Sequence, residues 1–186
     1  SESVDPHKTS TVYEANVLRD LFQGLVMQDA KANLIPGAAE SWTVSDDGTV
    51  YTFKLRKDGV WSDGSPVTAE DFVYAFHRLE DPATGAEYAS MLYPVKNAEE
   101  VNTKKGKPED MGVKAIDATT LEVTLKAPTP YFLEMLTHQA TYPVSKASIE
   151  KLGADWIKPG NLVSNGAYTL AEWVPNDHIT LAKNPK

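Results

Sequence analysis

Two kinds of apolar periodicity alternate along the first eighty residues, and this alternation limits the fold more than any other feature. Residues 50–56 place Tyr51, Phe53 and Leu55 on one face, directly after the turn sequence SDDG at 45–48. This is the pattern of a half-buried strand that follows a hairpin turn. Helical spacing of apolar residues occurs on both sides of it, at 11–25 and after residue 68. The sequence therefore predicts an α+β fold.

Local signals set the predicted bounds of the elements. Thr11 with Glu14 has the spacing of a capping box that opens a first helix over 11–25, and Thr68 with Asp71 caps a second helix. Pro at the favoured first helical position predicts a helix from Thr129-Pro130 to about 137. We also expect short helices at 88–92 and 146–152, and strand pairs at 113–116 with 121–125 and at 166–173 with 178–182.

Charge and composition exclude several classes of function. The formal net charge is −8, and the one dense basic group, at residues 104–107, has the composition of a solvated loop. Binding to DNA or RNA needs a clustered basic surface, so no nucleic-acid partner is expected. The chain has no cysteine, which excludes disulfides, thiolate metal sites and cysteine nucleophiles.

Searches for catalytic and metal motifs yield no constellation. The histidines at 7, 77, 138 and 178 lack metal-ligand spacing, and neither a nucleophile elbow nor a phosphate-binding loop occurs. The Asp-Gly pairs fit hairpin turns better than calcium loops. We therefore predict no metal, no cofactor and no enzymatic activity, and binding is favoured over catalysis.

One stretch is more specific than the rest. Residues 59–74 read GVWSDGSPVTAEDFVY, a turn stiffened by proline, then a threonine cap and an amphipathic helix. This closely resembles the signature of the oligopeptide/dipeptide/nickel class of extracytoplasmic solute-binding proteins, family 5. Further segments that resemble the family in the same order are SVDPH at 3–7, LRDLFQGL at 18–25, PGAAESW at 36–42, DATTLEV at 117–123 and NGAY at 165–168. GVKAI at 112–116 and PYF at 130–132 are most similar to the periplasmic oligopeptide-binding branch.

The resemblance implies a fragment of a periplasmic-binding-protein-like fold (type II, cluster C), in which two lobes close around an extended peptide. By analogy, residues 1–22 and 148–186 belong to the first ligand-binding lobe, and residues 23–147 form an additional α+β domain. Family members are much longer, so the chain is expected to be an N-terminal fragment that lacks the opposing lobe. Such a fragment would bind peptide weakly or not at all.

The resemblance also implies a set of peptide-binding residues. Ser10, Thr11 and Val12 match the stretch that supplies main-chain hydrogen bonds to the peptide by strand addition. Tyr88 matches an aromatic residue that packs against the ligand, and His138 matches a pocket residue. Each has a structural alternative: Thr11 as a helix cap, Tyr88 as a core residue and His138 as a satisfied histidine at a helix end.

The function implied is that of the substrate-binding component of an ABC importer, which captures oligopeptides and delivers them to the permease subunits. The expected location is the periplasm, or the outer face of the cytoplasmic membrane through a lipid anchor, and a monomer is expected. Alternatives on the same scaffold are binding of dipeptide, murein peptide, nickel chelate or haem. A different class is a carboxylate-based hydrolase, which needs two carboxylates with separated pKa values in one cleft. A third hypothesis is an apolar docking surface for a membrane partner within residues 23–147.

Overall fold

A computed structural model describes the backbone of residues 4–9, 11–174 and 178–185, and their side chains apart from those between 168 and 179. The described elements confirm the α+β class. The helices are α1 (Val12–Leu21), α2 (Ala69–Glu80), α3 (Ala98–Asn102), α4 (Phe132–Met135) and α5 (Lys146–Leu152). The strands are β1 (Val26–Gln28), β2 (Leu34–Pro36), β3 (Ala39–Val44), β4 (Val50–Leu55), β5 (Val113–Asp117), β6 (Thr120–Thr124), β7 (Tyr168–Val174) and β8 (His178–Lys183). Short 3-10 helices lie between them, among them Ala89–Leu92, Gln139–Thr141 and Gly153–Ile157.

The largest described sheet has four antiparallel strands in the order β3-β4-β6-β5, and β1 with β2 and β7 with β8 form two-stranded antiparallel sheets. The alternation predicted for β4 is confirmed, because Tyr51, Phe53 and Leu55 are buried. Helix α2 packs on this sheet and contributes Phe72 and Phe76 to the same core. Exposed Val44 and Ile116 lie on opposite edge strands, so these two side chains do not form one apolar docking patch.

The carboxylate of Asp71 organises the turn and helix of residues 59–74. Its Oδ2 accepts hydrogen bonds from the indole Nε1 of Trp61 at 3.0 Å and from the backbone N–H of Thr68 at 3.1 Å. Its Oδ1 accepts from the N–H of Lys146 at 3.3 Å. One buried side chain thus joins the turn, the start of α2 and the start of α5.

Residues 165 and 166 are hydrogen-bonded to the chain at the C-terminal end of α1. The amide of Asn165 accepts from the N–H of Gln23 at 2.8 Å and donates to its carbonyl at 2.9 Å. The N–H of Gly166 donates to the carbonyl of Leu21 at 2.9 Å. A side chain on Gly166 would not fit, because a Cβ there would lie 2.6 Å from the Asp20 carbonyl oxygen.

Arg78 of α2 connects the N-terminal segment to the rest of the molecule. Its guanidinium donates to Asp5 and to Nδ1 of His7, at 2.8 Å in each case, and it lies 5.4 Å from the centre of the Trp156 ring. Nε2 of His7 lies 3.0 Å from the carbonyl oxygen of Tyr142. Because Nδ1 accepts from Arg78, the ring proton sits on Nε2 and is donated to Tyr142. Sequence reasoning did not anticipate this network.

Two predicted helices are shorter than expected. The first was predicted to reach residue 25 but ends at Leu21, because Gly166 and Asn165 bond to Leu21 and Gln23 where helical partners would otherwise lie. The chain then forms the β1–β2 hairpin, which was not predicted. The helix predicted over 129–137 is confined to Phe132–Met135, and His138 is already extended, with φ −76° and ψ 138°. The helices predicted at 68 and at 146–152 are confirmed.

Candidate functional site

A cavity with a volume of about 440 Å³ is lined by residues far apart in the sequence. Three of the four methionines of the chain lie in its wall: Met27 of β1, Met91 of the Ala89–Leu92 turn and Met135 of α4. We refer to it as the methionine cavity. Thioether side chains are flexible and polarizable, so such a wall adapts to apolar groups of different shape. The volume falls within the usual range for small-molecule sites.

Arg19 supplies a cationic group to this cavity from the last turn of α1. Burial raises the pKa of the Tyr142 phenol, and the nearby Arg19 guanidinium opposes this rise by its charge and by hydrogen bonding. Arg19 therefore lies beside the Tyr142 hydroxyl. No carboxylate among the described residues forms an ion pair with Arg19. Sequence reasoning had not singled it out.

His138 also lines the cavity, and its tautomer is fixed by the backbone. Its Nδ1 accepts a hydrogen bond of 3.0 Å from the N–H of Ala140, at the start of the Gln139–Thr141 turn. Nδ1 must therefore be unprotonated, and the neutral ring carries its proton on Nε2. Burial lowers the pKa of His138, and the charge of Arg19 lowers it further, which keeps the ring neutral. His138 is therefore a satisfied histidine at Nδ1, as one of the two alternatives predicted, while its Nε2–H remains a donor.

Tyr88 and His138, both predicted as ligand residues from the family resemblance, are in contact. Their ring centres are 4.9 Å apart at an interplanar angle of 62°. Tyr88 is half-buried and also packs against the core. Its ring therefore fixes one side of the His138 imidazole.

The predicted main-chain segment lies at the other end of α1 from Arg19. Ser10 falls outside the described residues, but Thr11 and Val12 are described. Thr11 caps α1 as the capping-box pattern predicted: its hydroxyl accepts from the N–H of Glu14 at 3.1 Å, and its own N–H donates to that side chain. Thr11 is extended, with φ −108° and ψ 155°, and Val12 is 80% exposed. The N–H groups in the first turn of a helix lack helical acceptors.

Two acidic side chains also lie in the wall of the methionine cavity. Asp29 and Glu134 line the cavity. The Asp29 carboxylate accepts from the N–H groups of Lys31 and Asn33 within its own turn, and bonding to Asn33 is the main cause of its lowered pKa. Among the described residues, no cluster of three or more His, Asp or Glu side chains could hold a metal ion.

Comparison with known sequences assigns the family. A sequence model described as bacterial extracellular solute-binding proteins, family 5 Middle, matches residues 33–186. The chain belongs to this family. Among the described residues of this family-5 chain, no helix combines the length and apolar character that crossing a membrane requires.

The family-5 relatives share both sequence and structure with the chain. It is 52% identical over 186 residues to the periplasmic oligopeptide-binding protein OppA of Escherichia coli, covering 99% of this chain and 34% of the relative. It is 44% identical to the periplasmic murein peptide-binding protein MppA of the same species, over 98% of this chain and 34% of the relative. The structure of Haemophilus influenzae OppA in complex with the peptide RPPGFSPFR matches with a TM-score of 0.95 and 48% identity, covering 98% of this chain and 36% of that one. The chain thus spans about a third of the length of these relatives, and its fold is that of periplasmic peptide-binding proteins.

Proposed function

We propose that the chain is part of a receptor that captures oligopeptides outside the cytoplasmic membrane and delivers them to the permease subunits of an ABC importer. The observation that carries the proposal is 52% identity to an oligopeptide-binding protein over 99% of the chain. The receptor acts as a monomer in the periplasm or on a lipid anchor, and performs no chemistry on its ligand.

The division into lobes belongs to the same proposal. Residues 1–22 and 148–186 form part of the first ligand-binding lobe, and residues 23–147 form the additional domain. The hydrogen bond from the Gly166 N–H to the Leu21 carbonyl supports a first lobe built from these two segments. The opposing lobe would lie outside these residues.

The peptide site proposed for this part combines main-chain and side-chain groups. Ser10 to Val12 provide main-chain hydrogen bonds to an extended peptide, and Tyr88 and His138 contact its side chains. Helix α1 links the two regions, because residues 12 and 19 are two turns apart on the same side of the helix, about 10 Å along its axis. Exposed Val12 and the Arg19 end of the methionine cavity are thereby brought to one side of the molecule.

A binding experiment tests the proposal directly. The full-length receptor and this 186-residue chain are titrated by calorimetry with pools of two- to five-residue peptides, and retained ligands are identified by mass spectrometry. We expect tight binding by the receptor and little by the chain, because the opposing lobe supplies half of the cleft. Failure of the receptor to retain any peptide would refute the oligopeptide assignment, and retention of murein peptide, nickel chelate or haem would identify another ligand on the same scaffold.

Substitutions test whether Tyr88 and His138 belong to the peptide site. Tyr88→Ala and His138→Ala should each weaken peptide binding several-fold, because each removes contact area from the ligand. Lys158→Ala is the control, since this lysine side chain is 65% exposed and among the described residues pairs only with Asp155, which is 60% exposed. Wild-type affinity in both site variants would exclude them from the site.

A further inference from the structure

The methionine cavity presents two hydrogen-bond donors, of which His138 Nε2 has no acceptor within the described part of the chain. The guanidinium of Arg19 carries five N–H groups and no acceptor. The Nε2–H of His138 is a donor because Nδ1 is occupied by the Ala140 N–H. No described residue accepts a hydrogen bond from His138 Nε2 or forms an ion pair with Arg19.

The two donors act on the same region of space. Both side chains line the same cavity; burial and then the charge of Arg19 lower the pKa of the His138 ring, and the same guanidinium lies beside the Tyr142 hydroxyl. Two nearby groups that donate and cannot accept are matched by an anionic oxygen acceptor. A planar guanidinium is best matched by a carboxylate, which can accept from it at both oxygens.

The rest of the wall has a different chemistry. Met27, Met91 and Met135 come from three separate elements, and all three are half-buried. They form an adaptable apolar surface against which hydrocarbon can pack. The exposed ring of Tyr131, which also lines the cavity, adds an aromatic face.

Two acidic side chains in the cavity wall carry the same charge as an anionic ligand. Asp29 is held by hydrogen bonds to Lys31 and Asn33, so its carboxylate is already satisfied. Glu134 is exposed and would favour a cation. Arg19, which is exposed like Glu134, and His138 together offer two donors to one carboxylate, whereas Glu134 offers a single carboxylate.

We propose that the methionine cavity binds a carboxylate joined to an apolar body, with the carboxylate accepting from Arg19 and His138 Nε2 and the apolar part packed against the three methionines. The carboxylate belongs either to an acidic residue of a bound peptide or to a free amphipathic acid. The inference deepens the proposed ligand-binding function and, in the peptide case, rests on it.

The test measures a preference for negative charge. Tetra-alanine peptides with Glu at each position in turn are compared with the same peptides carrying Gln, using calorimetry on the full-length receptor. In a parallel series decanoate is compared with decanol and decylamine. A hydrogen-bonded carboxylate is worth about 1.5–3 kcal/mol, so we expect a preference of about tenfold or more for Glu at one position, or for decanoate. Arg19→Gln should bring that ratio close to one, and Arg19→Lys should keep part of it.

Lys57→Gln is the control, because it removes the same charge from an exposed residue outside the cavity. In this variant the ratio of affinities for Glu and Gln peptides, and that for decanoate and decanol, should stay as in the wild type. Loss of the Glu preference in Arg19→Gln supports a peptide source, and loss of decanoate binding supports a free acid. A ratio near one in both series, a ratio unchanged by Arg19→Gln, or stronger binding of decylamine would overturn the inference. Wild-type binding of unsubstituted tetra-alanine is scored separately, so that failure of the peptide-receptor function is not mistaken for failure of this inference.

Discussion

The Arg78 guanidinium donates to both carboxylate oxygens of Asp5, at 2.8 and 2.5 Å, across 73 residues of sequence. The Asp5 side chain is 3% exposed and that of Arg78 is 15% exposed. Burial alone would raise the pKa of Asp5, but the hydrogen bond from Arg78 and the nearby charges hold it below its usual value. The N-terminal segment, which leads into the proposed main-chain binding residues, is therefore fixed by an ion pair.

Removing the arginine should destabilise the fold strongly. Arg78→Met leaves the Asp5 charge buried without its partner, which costs about 3–5 kcal/mol in comparable buried pairs. The measurement is the free energy of unfolding from denaturant titration. Lys158→Met, which breaks the exposed pair with Asp155, should cost less than about 1 kcal/mol. Equal losses in the two variants would contradict the structural role of Arg78.

His7 should make the free energy of unfolding depend on pH. Burial lowers the pKa of His7 to about 4, with Asp5 opposing and Arg78 adding to the shift. Between about pH 6.5 and 4 the unfolded chain binds a proton at this residue and the folded chain does not, so folding stability falls as the pH falls through this window. The loss should disappear in His7→Gln. The check is the difference in unfolding free energy between the two proteins from pH 8 to 4, and parallel curves would count against the assignment.

Local structure proved predictable wherever neighbouring residues determine it. The capping boxes at Thr11 and Thr68 and the alternation in β4 depend on residues a few positions apart, and all three occur as expected. The β1–β2 hairpin was missed because Leu25 continues the helical spacing of α1, while the bonds that end this helix come from distant Asn165 and Gly166.

The candidate site was only partly predictable for a related reason. His138 and Tyr88 were identified through family resemblance, and the structure places them in contact. Arg19 and Met27 carry no local signal, because their meeting with Met135 depends on how α1, β1 and α4 pack together. Periodicity describes each of these elements singly, and the cavity arises only from their assembly.

Glu80 should make the free energy of unfolding depend on pH with a sign opposite to that of His7. It is fully buried, neither carboxyl oxygen has a hydrogen-bond partner among the described residues, and burial raises its pKa to about 9. Between about pH 4.5 and 9 the folded chain retains a proton that the unfolded chain loses, so this residue lowers stability as the pH rises. Glu80→Met should therefore gain stability relative to the wild type as the pH increases. Denaturant titrations from pH 5 to 9 would measure this.

The control for Glu80 is Glu87→Met, at an exposed position. Its unfolding free energy should run parallel to that of the wild type over the same range. A Glu80→Met curve that is also parallel would mean that Glu80 ionises normally in the folded protein.

Asp71→Asn tests the three-way junction around α2. The substitution keeps the shape but replaces one accepting oxygen by an NH₂ group, which would face an N–H from Trp61, Thr68 or Lys146. Leaving a buried donor unsatisfied costs about 1–3 kcal/mol, so we expect a loss of that size in thermal or denaturant unfolding. Asp63→Asn, in an exposed turn, is the comparison and should change stability little. No difference between the two would argue against a junction at Asp71.

The hydrogen bonds between Gln23 and Asn165 span 142 positions, which bears on the order in which the chain can acquire its structure. The segment after α1 cannot complete its bonding until residue 165 has been synthesised. Closing so long a loop carries an entropic cost that slows folding. The segment after α1 therefore stays incompletely bonded while the following 142 residues are made, and exposed apolar segments in such a state are prone to aggregate.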